Sequence, residues 1–123
     1  MDREISGIKR DFRFLEKEVL GILVYGSHAK GESTPRSDTD ICIVIGKQST
    51  PREMRKMLSK VWRNVNVNKN DYDVKVFEEL PLRVKAGVME EGKVVIGKKP
   101  DIYEYFYKFR KMWNDQKHRQ RIQ

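Results

Sequence analysis

Hydrophobic residues along this chain follow two periods in turn. Ile5, Ile8, Phe12 and Leu15, with Phe14 beside them, recur at helical spacing, so residues 2–18 read as an amphipathic helix that Gly7 weakens slightly. Val19 to Tyr25, interrupted only by Gly21, and Ile41 to Ile45 are short and β-branched, the composition of buried strands. Pro51 to Val65 opens with proline and places Met54, Met57, Leu58, Val61 and Trp62 on one stripe, which predicts a helix packing that stripe against the core. An Asn-rich polar turn, Asn64 to Asp71, follows. Tyr72 to Phe77 alternates as a strand, with Val74 and Val76 on one face and Asp73, Lys75 and Phe77 on the other. Leu80 to Glu91 predicts a helix packing through Leu82, Val88 and Met89, and Val94 to Ile96 a short strand closed by Gly97. From Asp101, a suitable N-cap, Ile102, Tyr105, Phe106, Phe109 and Trp113 form a last helical stripe. The basic tail with Lys117, His118, Arg119 and Arg121 is expected to fray or dock elsewhere.

The two early strand-like runs, Ile22 to Tyr25 and Ile41 to Ile45, are joined by a polar loop carrying Gly26, Ser27, Gly31, Pro35, Ser37, Asp38 and Asp40. A purely structural connection between strands needs only a few residues of turn chemistry. This one begins with Gly-Ser directly off a strand and ends with carboxylates at i and i+2, which project from one face. Like charges side by side are unfavourable unless a cation offsets them or one takes a proton, and hard oxygen ligands favour Mg²⁺. Gly26 lets the backbone approach an anion closely, and Ser27 offers a hydroxyl and an amide to phosphate oxygens. A short helix capped by Ser27 would aim free amides at a triphosphate. Gly-Ser, ten residues, then Asp-x-Asp recurs by chance in roughly one chain of this size per thousand.

Gly26, Ser27, Asp38 and Asp40 at these offsets resemble the signature of the nucleotidyltransferase superfamily with the DNA polymerase β-like fold, in its minimal single-domain form. The resemblance spans roughly residues 15–97 and implies an α+β fold, a mixed sheet flanked by helices. It also implies a third carboxylate on a neighbouring strand; Asp73 is the matching position, with Asp71 as the fallback. The implied chemistry is attack of an acceptor hydroxyl on the α-phosphorus of ATP or another nucleoside triphosphate, with pyrophosphate leaving. Asp38, Asp40 and Asp73 would then be the catalytic carboxylates and the ligands of Mg²⁺ in a two-metal site. Gly26, Ser27 and Ser37 would bind the nucleotide, with Lys30 and Arg36 the nearest cations to its phosphates. One departure stands out: many members carry Arg directly after Gly-Ser, where this chain has His28. A neutral imidazole attracts phosphate less at pH 7, so nucleotide affinity is expected to be lower or pH-dependent.

Gly26 to Gly31 also has the outer spacing of a Walker A loop, but Glu32 stands where its lysine must be. A single cysteine and two distant histidines exclude a zinc finger. At 123 residues the chain reads as one domain, 1–123, with its core at about 15–97 and an aromatic, basic helix at about 101–118. No room remains for an acceptor-binding domain, so the acceptor site is expected to come from a partner or a subunit interface, as in a homo-oligomer. The minimal members commonly occur as antitoxins paired with a helical HEPN-type ribonuclease toxin, some adding AMP to a partner tyrosine. By resemblance that is the leading reading, with the aromatic C-terminal helix as docking surface. The alternatives are a non-catalytic antitoxin that blocks its partner sterically, or transfer to a small molecule or an RNA end. Twenty-six basic against eighteen acidic residues, net +8, favour an acidic partner. Cys42, alone and within an apolar run, reads as a core residue and fits a reducing cytosol. No apolar stretch nears the ~18 residues of a membrane span, so a cytoplasmic protein without a membrane partner is expected.

Overall fold

The computed structural model describes residues 2–26 and 38–122; the Ser27 helix expected from the sequence lies outside the described residues. The two β-branched runs form β1 (Gly21–Tyr25) and β2 (Thr39–Val44), paired antiparallel from Gly21 opposite Val44 to Tyr25 opposite Asp40. The alternating segment forms β3 (Tyr72–Val76), parallel to β2, and β4 (Lys93–Gly97) adds antiparallel to β1. The resulting mixed sheet has the order β3-β2-β1-β4, as the α+β expectation requires.

Among the described residues four helices, α1 (Asp2–Phe12), α2 (Pro51–Asn64), α3 (Leu82–Glu91) and α4 (Lys99–Ile122), cover the sheet. Strand alternation divides the core into two layers. Ile22, Val24, Ile41 and Ile43 face α1 and α2 and pack with Ile8, Phe12, Leu15 and Val61. Leu23, Cys42 and Val44 face α3 and α4 and pack with Phe77, Val88, Ile102 and Phe106.

Local chemistry sets the element ends. α1 stops at Phe12, and a 3₁₀ turn at Arg13–Leu15 tightens the chain so that Phe12 and Leu15 are both fully buried. α2 begins with a capping box: Glu53 N donates to Thr50 Oγ1 at 3.1 Å and Thr50 N donates to Glu53 Oε1 at 3.3 Å, with Pro51 in the first turn. α4 starts two residues before Asp101, because Pro100 suits a first turn, and its helical backbone continues through the basic tail to Ile122. Trp62 departs from the predicted stripe and is 59% exposed. It sits about 100° round the helix from buried Val61, and the chain leaves the helix two residues later.

Glu78 fixes the far end of β2. Its carboxylate accepts from Ile45 N and Gly46 N, both at 3.0 Å, and from the Tyr105 hydroxyl of α4 at 2.6 Å. Phe77 stacks on Phe106 at 4.8 Å and meets the edge of Phe109 at 5.3 Å, which holds α4 against the sheet.

Candidate active site

The opposite end of the sheet gathers the predicted carboxylates. Asp40 is the strand partner of Tyr25 in β1 and of Asp73 in β3, so the three side chains rise in a row from adjacent strands. They share the face of Leu23, Cys42 and Phe77, the α3 and α4 side, and each is half-buried. The alternation that placed Asp73 with Phe77 therefore holds in the structure, and Asp40 shares that face with Cys42.

Gly26 follows Tyr25 with φ +73°, a conformation that glycine adopts without strain. A β-carbon at this position would lie 2.3 Å from Asp40 Oδ2. Backbone and carboxylate thus meet at a spot where any side chain would displace Asp40. This adds a reason for glycine here to the close approach of an anion read from the sequence.

Asp38 is exposed and precedes the ladder, because strand pairing begins at Thr39. Among the described residues no three His, Cys, Asp or Glu side chains converge closely enough to hold a metal ion; Asp40 and Asp73 form the paired element, and Asp38 stands at its rim. Asp71, the fallback carboxylate, acts through its backbone: its carbonyl accepts Thr39 N at 2.8 Å while its φ of +53° turns the chain into β3. Ser27, Lys30, Arg36 and Ser37, the other predicted nucleotide contacts, and His28 lie outside the described residues.

Tyr25 was not singled out from the sequence, although strand alternation from Leu23 already aimed it at this face. Burial first, then the neighbouring Cys42, Asp40 and Asp73, push its phenol well above the ordinary range, so it stays a neutral hydroxyl beside the carboxylates. The donor set of Asp40 and Asp73, all hard oxygen on adjacent strands with Gly26 packed against the Asp40 carboxylate, fits a divalent cation of the Mg²⁺ kind.

Residues 11–101 match the family model described as polymerase beta, nucleotidyltransferase. The chain belongs to this nucleotidyltransferase family. A relative from Methanocaldococcus jannaschii, named as a protein adenylyltransferase, is 44% identical over 102 residues, covering 83% of this chain and 75% of its own. The nucleotidyltransferase fold also superposes on a chain of a toxin–antitoxin complex crystallised with AMP-PNP, with a TM-score of 0.71 at 20% identity, covering 96% of this chain and 94% of that one. A chain from the complex of a tri-AMPylated Shewanella oneidensis HEPN toxin with an MNT antitoxin gives a TM-score of 0.66 at 18% identity, over 98% of this chain and 93% of its counterpart. These likenesses cover nearly the whole chain and establish the mixed-sheet fold. Among the described residues no helix is long and apolar enough to cross a membrane.

Proposed function

We propose that this nucleotidyltransferase moves AMP from ATP to an acceptor hydroxyl, a tyrosine of a HEPN-type toxin partner, and so acts as the partner's antitoxin in the cytoplasm. The observation that carries the reading is the pairing of Asp40 and Asp73 on adjacent strands, with Gly26 packed against the Asp40 carboxylate. The 44% identical relative named as a protein adenylyltransferase supports protein as acceptor class. The fold neighbours with AMP-PNP and with an AMPylated HEPN toxin support the nucleotide and the partner.

In the proposed reaction the acceptor oxygen bonds to the α-phosphorus, the bond from that phosphorus to the β-bridging oxygen breaks, and pyrophosphate leaves with the electron pair. Asp38, Asp40 and Asp73 are the residues that would hold Mg²⁺. When bound, the metal neutralises phosphate charge and stabilises the entering and leaving oxygens. Asp40, packed against Gly26, keeps its carboxylate in place toward the cation that would meet the triphosphate. Asp73, level with it on β3, takes the proton that the acceptor hydroxyl gives up as its oxygen bonds to the α-phosphorus. Gly26 and Ser27, with Ser37, Lys30 and Arg36, hold the phosphates, so that charge developing on the leaving group meets fixed donors. Tyr25, kept neutral, offers a proton donor to the same corner.

The test is transfer of label from α-³²P-ATP in Mg²⁺ buffer to proteins of the source cell, with the Asp38→Asn/Asp40→Asn double variant as control. A discrete protein band labelled only by the wild type supports the reading, and its mass identifies the partner. Label on RNA or on a small molecule replaces the acceptor. Retained partner binding without transfer from any of the four nucleotides would leave a steric antitoxin.

A further inference from the structure

A second surface, on the other face of the sheet from the Tyr25–Asp40–Asp73 row, is built differently. On α2, Arg52, Arg55, Lys56 and Arg63 fall within about 100° of one another round the helix axis and all are exposed. None of the four forms an ion pair among the described residues, whereas Lys60, turned further round, pairs with Glu18. The stripe leads to Trp62, seven residues on from Arg55 and 59% exposed. Trp62 lines an open cleft of about 630 Å³ together with Arg63, Asn64, Asn66 and Asn68.

The loop forming the other wall alternates Asn66-Val67-Asn68, with Val65 buried and Val67 half-buried in the core and the asparagines exposed. Asn66 and Asn64 make local contacts: Lys69 N donates to Asn66 Oδ1 at 3.0 Å, and Asn64 Nδ2 donates to Lys60 O at 2.7 Å. These fix the loop's shape. Asn68 is exposed, and its side chain makes no hydrogen bond among the described residues. The cleft therefore combines an exposed indole face, amide groups able to pair with base edges, and a row of exposed cations at its approach.

We propose that this face of α2 and its terminal cleft bind single-stranded nucleic acid, with one base stacked on Trp62 and the backbone phosphates along Arg52, Arg55, Lys56 and Arg63. Flat π-surface for an unstacked base plus a positive track for the backbone is the chemistry that single strands require. A base-paired duplex hides its base faces and offers the indole nothing. An acidic protein segment would use the cations and leave Trp62 and the amides idle. The surface is separate from the proposed AMP transfer, and the two readings can fail independently.

The experiment uses the full chain and fluorescein-labelled oligonucleotides of about twelve residues, in RNA and DNA forms, with a duplex of the same sequence and polyglutamate as comparison polyanions. Anisotropy measures binding between about 50 and 200 mM KCl, where four phosphate contacts give a slope of log K against log salt near −3. The Trp113→Phe chain leaves Trp62 as its only tryptophan, so its fluorescence reports stacking directly. We expect quenching on binding, loss of roughly tenfold in affinity for Trp62→Ala, and recovery of most of it in Trp62→Phe. Arg55→Ala/Arg63→Ala is expected to flatten the salt slope by about 1.4. RNA and DNA binding alike support the proposal, a difference between them showing whether the 2′-hydroxyl is read. No binding at the lowest salt, equal affinity for the duplex, equal displacement by polyglutamate, or affinity and fluorescence indifferent to Trp62 would each overturn it. Label transfer to the protein partner remains unchanged in Trp62→Ala if the two functions are separate.

Discussion

Asp40 Oδ2 lies 2.3 Å from the point that the β-carbon of any non-glycine residue at position 26 would occupy. The same backbone carries φ +73°, so an added methyl group meets both strain and a carboxylate. Gly26→Ala is expected to cost about 1–3 kcal/mol, seen as a fall in melting temperature of several degrees, and to abolish label transfer by moving Asp40. Gly87 in α3 is the internal contrast: nothing lies within 4 Å of its would-be β-carbon. Gly87→Ala should raise stability by about 0.5–1 kcal/mol through helix propensity alone and leave transfer intact. Equal tolerance of alanine at both positions would mean that Gly26 does not shape the site.

The register of Asp40 with Asp73 makes a separable prediction. Asp40→Asn and Asp73→Asn are each expected to lower transfer by at least about a hundredfold, since both remove a hard ligand from the proposed cation site. Stability should move differently. In EDTA, Asp73→Asn removes one of two neighbouring carboxylates and should melt no lower than the wild type. With saturating Mg²⁺ and ATP the wild type should gain about 2–3 kcal/mol at a hundred times the dissociation constant, a gain either variant loses. Thermal melts with and without Mg²⁺–ATP give both readouts. Undiminished ligand stabilisation in both variants would place the cation elsewhere.

Much of this architecture was legible because it rests on period. The two-residue alternation of Tyr72 to Phe77 put Asp73 with Phe77; β3 ends at Val76, and Phe77, in the 3₁₀ turn that follows, still packs on the face that Asp73 shares with Cys42. Strand order was invisible, since nothing local to Val94 to Ile96 says that β4 pairs with β1. Trp62 was misassigned because helical spacing cannot tell a stripe's edge from its centre; what decides is whether another element covers that edge, and here none of the described ones does. The Glu78 bracket escaped for a similar reason, its partners Ile45 and Gly46 standing 33 and 32 residues away. Asp38 matched the motif by spacing, yet spacing does not tell where a ladder begins, and pairing starts one residue later.

Cys42, the one thiol, is fully buried between Asp40 and Val44 on β2. Burial, with Glu78 adding to it, pushes its thiol far above the ordinary range, so the native chain presents almost no thiolate. Reaction with a disulfide reagent near pH 8 should then proceed only through unfolding. Its rate is expected to be independent of reagent concentration at high reagent and to rise to that of an exposed thiol in urea. A fast second-order reaction under native conditions would show that β2 opens locally.

Three tyrosines give the fold an alkaline limit. Tyr25, Tyr72 and Tyr105 all have phenols pushed up, first by burial. Tyr72 also donates to Asp11 Oδ2 and Tyr105 to Glu78 Oε2, each at 2.6 Å, and a carboxylate acceptor favours the neutral phenol. In the unfolded chain these groups lose their protons near pH 10. Above that pH the native state holds more protons than the unfolded state, so stability must fall as pH rises. The contribution is complete below about pH 10 and drains away through the window above it. Urea unfolding across this range should show a plateau and then a steep decline. Tyr72→Phe and Tyr105→Phe should each lower the plateau by about 1–2 kcal/mol and make the decline shallower. Tyrosinate absorbance at 295 nm should rise later in the native chain than in the denatured one; coincident curves would mean that these phenols are not held neutral by the fold.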